Sequence, residues 1–96
     1  MELKIADVVV SLNGRDKGKR FIIVNTDDMY SLLVDGRGRK LEKPKKKKNK
    51  HIILEGVIEP KLAYKLYAGE KTTNKEIRKA LAEYTAKLEG GDVNNG

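Results

Sequence analysis

Turn formers punctuate the first half of the chain at short, regular intervals, and this limits the possible folds more than any other feature. Asn13-Gly14, Thr26-Asp27-Asp28 and Asp35-Gly36 separate brief runs rich in β-branched residues. Residues 7–12 (DVVVSL), 19–25 (KRFIIVN) and 30–35 (YSLLVD) read as three strands. Val8, Val10 and Leu12 are expected on one face of the first. In the second, Phe21 and Ile23 alternate against Ile22 and Val24. Residues 39–43 are expected to form a short fourth strand with Leu41 inward, and residues 51–54 (HIIL) a fifth. Strands this short, joined by Gly, Asn and Asp turns, predict a small β-barrel.

The pattern changes after Gly56. Glu59-Pro60 opens a helix, with proline suited to the first helical position. Leu62, Ala63, Leu66 and Tyr67 follow helical spacing, and Gly69 ends the segment. Thr73 to Glu76 reads as a capping box in which the Thr73 hydroxyl accepts the Glu76 amide and the Glu76 carboxylate accepts the Thr73 amide. Ile77, Ala80, Leu81, Tyr84 and Leu88 then make one apolar stripe; Tyr64 and Tyr67 on the first helix and Tyr84 on the second are expected to be packing residues. Gly90-Gly91 stop the helix, and the residues beyond are expected to fray. With 96 residues, one domain is expected: a barrel over residues 5–54, two helices over 59–89 packed on it, and a tail over 90–96. The fold class is mainly β with C-terminal helices, and the chain is expected to be monomeric or weakly associating.

Charge placement carries the functional signal. Residues 1–38 hold six basic and six acidic side chains, and residues 52–96 hold seven of each. Residues 39–51 hold eight basic side chains against Glu42 alone, so the whole net charge of +7 lies there. Charge concentrated in this way predicts an anionic polymer or surface as partner. A solvated loop, a localisation tag and a contact with anionic membrane are other uses of the same residues. No amphipathic basic helix or lipidation motif accompanies them to favour a membrane.

Other classes are disfavoured by what is missing. The chain has no cysteine and one histidine, so neither a disulfide framework nor a thiolate or histidine metal site is expected. The N-terminal MELKIADVVV lacks the basic start and long apolar core of a secretory leader, and no apolar run has the length of a membrane span. A cytoplasmic location is expected. Asp27-Asp28 is explained by turn chemistry, no catalytic constellation is present, and neither an enzyme activity nor a cofactor is expected.

The run from Ala6 to Asp35 resembles a KOW motif. Gly18, within Gly14-Arg15-Asp16-Lys17-Gly18-Lys19, matches the glycine that follows that motif's first strand. Val8-Val9, Ile22-Ile23-Val24 and Leu33-Val34-Asp35-Gly36 match its strands. Further along, Arg39-Lys40-Leu41-Glu42-Lys43-Pro44-Lys45-Lys46-Lys47, Lys50-His51 and Asn74-Lys75-Glu76-Ile77-Arg78-Lys79-Ala80-Leu81 are similar to a group of short bacterial KOW proteins. That group is related to the large-subunit ribosomal family L-fourteen-e. The resemblance spans roughly residues 5–88. It implies an SH3-like barrel that binds RNA without fixing which RNA; the expected partner is ribosomal RNA or the ribosome. It also implies an alternative: a protein-docking module of the transcription or translation machinery.

The expected RNA-binding residues fall into three groups. Arg15, Lys17, Lys19 and Arg20 lie on the loop shaped by Gly14 and Gly18. Arg37 and Arg39, beside Gly36 and Gly38 on a mobile turn, are suited to bidentate phosphate contacts and base stacking. Lys40, Lys43, Lys45, Lys46, Lys47, Lys48 and Lys50, with His51 at the border, are expected to form an extended, lysine-rich loop along a phosphate backbone, neutralising charge without reading bases. Gly14, Gly18 and Gly36 are expected to be structural, and Tyr30 and Phe21 to pack.

Overall fold

The β-branched runs pair as neighbours in an antiparallel sheet. The computed structural model describes residues 2–90. It contains β1 (Asp7–Ser11), β2 (Arg20–Thr26), β3 (Tyr30–Val34), β4 (Lys45–Lys48) and β5 (Ile52–Val57), followed by helices α1 (Pro60–Ala68) and α2 (Asn74–Leu88). The strand order is β4-β3-β2-β1-β5, every pairing is antiparallel, and a single 3-10 turn at Asn49–His51 joins the two edge strands. Among the described residues the sheet is not closed. Of the tail expected over residues 90–96, residues 91–96 lie outside the described residues.

Both faces of the central strands are buried, which corrects the one-sided pattern expected for β1. Val8, Ile22 and Val34 pack with Ile58, Leu62, Ile77 and Ala80 beneath the helices. Val9, Phe21, Ile23, Leu33 and Ile52 form a second cluster on the other face. No helix contributes to that second cluster, yet Val9, Ile23 and Leu33 are fully buried, so the sheet must bend over its own face. Two register shifts assist the bend: Glu55 is the extra residue between the Val8–Gly56 and Val9–Leu54 pairs, and Val24 between Ile23–Leu33 and Asn25–Leu32. Such bulges sharpen strand curvature. Leu12, expected inward, is 47% exposed.

The helices form as expected, with one change of face. The Glu59 carboxylate accepts the Lys61 and Leu62 amides to cap α1, and Gly69 ends it in the left-handed conformation. Both halves of the Thr73–Glu76 capping box are present. Leu62 is buried and Ala63 and Leu66 pack beside it, but Tyr64 and Tyr67 point to solvent at 67% and 56% exposure. The stripe on α1 is therefore narrower than the count of apolar residues suggests. On α2, Tyr84 lies across β5: a Cβ on Gly56 would sit 2.7 Å from the Tyr84 hydroxyl.

Candidate nucleic-acid interface

The lysine run is a strand, not a loop. β4 is Lys45–Lys48, and it pairs Lys45 with Leu33, Lys46 with Leu32, Lys47 with Ser31 and Lys48 with Tyr30. The expected strand at residues 39–43 is instead a turn, although Leu41 does pack against the helix-side core. The fifth strand starts at Ile52 and runs to Val57, and His51 belongs to the 3-10 turn. Lysine has weak β preference, so β4 owes its conformation to pairing with β3 and to Asn49 at its end. The Asn49 amide donates to the Met29 carbonyl (2.8 Å), its Nδ2 donates to the Asp27 carbonyl (2.7 Å), and its Oδ1 accepts the Ser31 hydroxyl (2.6 Å).

A strand divides its side chains between two faces. Lys45 and Lys47 share the face of Leu33 and Ser31, whereas Lys46 and Lys48 share that of Leu32 and Tyr30. On the latter face the Lys46 ammonium stands 4.5 Å from the centre of the Tyr30 ring, a cation–π distance. The Asn49–Met29 bond sets the phase of the ladder. Its alternation turns the amides and carbonyls of Lys46 and Lys48 outward along the free edge.

Two loops converge on the Lys45/Lys47 side. In the β1–β2 loop the Gly18 amide donates to the Ser11 carbonyl (2.8 Å), with Gly18 at φ +83° as a tight return requires. Lys47 Nζ reaches the same loop and donates to the Asn13 carbonyl (2.8 Å). The β3–β4 loop is tied to it by one ion pair: Arg39 donates to the Asp16 carboxylate at 2.9 Å, and Lys19 lies 3.8 Å from the other carboxylate oxygen. Burial pushes the Asp16 carboxyl up, but the Arg39 hydrogen bond and charge, with Lys19 and Lys45, outweigh it, and the group is held below the usual carboxylate range.

Helix α2 fixes the shape of the β3–β4 loop from behind. Asn74 Oδ1 accepts the Leu41 amide (2.8 Å), Asn74 Nδ2 donates to Glu42 (2.9 Å), and Arg78 donates to the Gly36 carbonyl (2.9 Å). Gly36 is at φ +77°, and a Cβ there would lie 2.6 Å from the Asn74 carbonyl oxygen, so only glycine permits this approach. The Asp35 carboxylate accepts the Arg37 and Arg39 amides, both at 2.9 Å. The turn carrying the arginines is therefore braced on two sides, contrary to the expectation of a mobile turn. In front of it lies a shallow basin of about 630 Å³, lined by Arg37, Arg39, Lys40, Lys43, Lys45 and Lys46, with Glu42 and Pro44.

The expected residues are thus partly gathered. Arg15, Lys17 and Lys19 are exposed on the β1–β2 loop, which Arg39 meets through Asp16 and Lys47 through the Asn13 carbonyl. Arg20 is engaged elsewhere: its Nε lies 2.7 Å from Glu55. Lys46 and Lys48 leave β4 on the face opposite Lys45 and Lys47, and of the two only Lys46 borders the basin; Lys50 is exposed on the 3-10 turn, and His51 is half-buried with its carbonyl accepting the Leu12 amide (2.9 Å). Sequence reasoning missed Asp16, Asn49 and Asn74. None carries a local motif, because each acts on residues distant in sequence. Among the described residues there is no cluster of three or more His, Cys, Asp or Glu side chains able to hold a metal ion, and no helix is long and apolar enough to cross a membrane.

In comparisons with protein-family models and with curated proteins, the chain matches none.

Proposed function

We propose that the chain binds structured RNA, ribosomal RNA foremost, as a ribosomal or ribosome-associated KOW protein of the cytoplasm whose bent sheet is an SH3-like barrel. The observation that carries this reading is the meeting of two loops and β4 on one cationic face. The acids there, Asp16 and Glu42, are already engaged by Arg39 and Asn74. The left-handed Gly18 supports the KOW resemblance, since it stands where that motif needs its glycine. Lys45 and Lys47, two residues apart on one face, are about 6.8 Å apart along the strand, a spacing on the scale of successive phosphates. Binding of this kind releases counterions, so affinity falls with salt. Alanine at Lys45 to Lys48 should lower RNA affinity and flatten the salt slope, with circular dichroism confirming the fold. An unchanged slope in a folded variant refutes the reading.

A second reading, docking of a protein partner, is favoured by the two exposed tyrosines of α1 and by the free edge of β5, where Ile53 and Val57 are 52% and 63% exposed. A partner retained in pull-down after nuclease treatment would select it.

A further inference from the structure

The basin in front of the β3–β4 loop has a shape that an RNA backbone alone does not require. A chain of phosphodiesters carries one charge per phosphate and is met adequately by a flat or ridged cationic face. Here Arg37, Arg39, Lys40, Lys43, Lys45 and Lys46 instead line one shallow, open basin of about 630 Å³. We propose that this basin takes a compact polyphosphate, such as three linked phosphoryl groups. The inference deepens the RNA reading and rests on it only for one source of the ligand, the 5′-triphosphate end of an RNA. The other source is a free polyphosphate.

Several features make the basin a formed site rather than a drift of surface lysines. Arg39 is fixed from three directions: its guanidinium on Asp16, its amide on Asp35, and its carbonyl accepting the Asp35 and Gly36 amides (2.8 and 3.0 Å). Lys45 is anchored by the β3 ladder. Pro44 locks one backbone angle at the entry to β4, and α2 holds the Leu41–Glu42 backbone and the Glu42 carboxylate through Asn74. One guanidinium and a loop backbone fixed in advance spare part of the ordering cost of binding an anion. Mutual repulsion among six cations is relieved most by a ligand with many charges in little space. A terminal phosphate carries about −1.5 to −2 near neutral pH, whereas a diester carries one charge, so a triphosphate concentrates charge where the basin does.

The test compares one RNA sequence carrying a 5′-triphosphate with the same RNA carrying a 5′-hydroxyl, at fixed salt, alongside calorimetric titration with tripolyphosphate and with orthophosphate. Expected are a preference of about tenfold or more for the triphosphate end, tripolyphosphate binding well above orthophosphate, and loss of the preference in Lys40→Ala/Lys43→Ala. Both lysines are exposed, so that variant should fold. Lys48→Ala, outside the basin lining, should lower overall RNA affinity while keeping the preference. Binding of both RNAs with equal affinity, and no uptake of tripolyphosphate, overturns the proposal and leaves the RNA reading intact. Uptake of tripolyphosphate without RNA binding upholds the basin with free polyphosphate as its source and defeats the RNA reading. A preference that survives Lys40→Ala/Lys43→Ala also overturns it.

Discussion

The Arg39 guanidinium lies 2.9 Å from the Asp16 carboxylate, 23 positions away in sequence, and this contact joins the two basic loops. Asp16 is buried while the basic residues around it are not. A negative charge at the centre of a cationic face sets the position of its neighbours more than it diminishes their charge.

Asp16→Asn tests that relation, because two effects have opposite signs. The variant adds one unit of positive charge, which by long-range electrostatics alone should tighten RNA binding. Loss of the charged hydrogen bond should free Arg39 and the β1–β2 loop. We expect RNA affinity to fall about fivefold and stability to fall by about 1 kcal/mol, with allowance for solvent at the guanidinium. Fluorescence binding and thermal melts measure both. Tighter binding would show that total charge, not arrangement, controls the interface.

The division of the lysines between two faces makes paired substitutions informative. Lys45→Ala/Lys47→Ala should flatten the logarithmic salt slope by about 1.4–1.8, at 0.7–0.9 per lost phosphate contact. Lys46→Ala/Lys48→Ala should change it less, since those side chains leave β4 on the opposite face and only Lys46 borders the basin. Equal losses from the two pairs would mean that the bound strand wraps the edge.

The same edge has a second property. Lys46 and Lys48 turn their backbone groups outward, and charged side chains on an unpaired edge oppose strand addition. Lys46→Thr/Lys48→Thr should therefore self-associate with rising concentration, as light scattering would detect. A variant that stays monomeric at millimolar concentration would show that the lysines are not needed for edge protection.

Gly56→Ala should cost about 1–3 kcal/mol, the usual range for overpacking, because its methyl group meets Tyr84. In a Tyr84→Ala background most of that cost should vanish, giving a strongly non-additive cycle in chemical denaturation. Additive effects would place the strain elsewhere.

Stability should decline in acid, and the sign follows from three carboxyls. Asp16 is lowered for the reasons already given, Glu55 by its hydrogen bond from Arg20, and Glu76 by its hydrogen bond from Lys65. Each binds its proton more weakly in the folded chain than in the unfolded one, so protons favour unfolding. Their contribution is complete above the unfolded values of about 4 and is lost as pH falls through the folded values. Denaturant midpoints measured from pH 7 to pH 2 should fall below about pH 4; a flat profile would contradict the ion-pair geometry.

Much of the scaffold was legible because its signals are local. The valines of β1, the Phe21–Val24 run and the Thr73–Glu76 box each declare a conformation within a few residues. β4 was not legible as a strand, since four lysines have little β preference of their own and their conformation comes from β3 and Asn49. Residues 39–43 misled in the opposite sense: Leu41 is inward, but the Asn74 side chain, not a neighbouring strand, receives its amide. Tyr64 and Tyr67 misled because apolar spacing cannot tell a packed tyrosine from an exposed one. Charge counting found the cationic face, yet the pairings that shape it, Asp16 with Arg39 and Asn74 with Leu41, exist only in the folded chain.

The brace that α2 supplies to the β3–β4 loop sets an order of events during synthesis. Asn74 and Arg78 reach back to Gly36, Leu41 and Glu42, so the loop takes its final shape only after α2 has left the exit tunnel. A nascent chain released early could pair its strands but would present an unshaped loop. The shape of that loop is in this sense a late-acquired property, set only when α2 is complete.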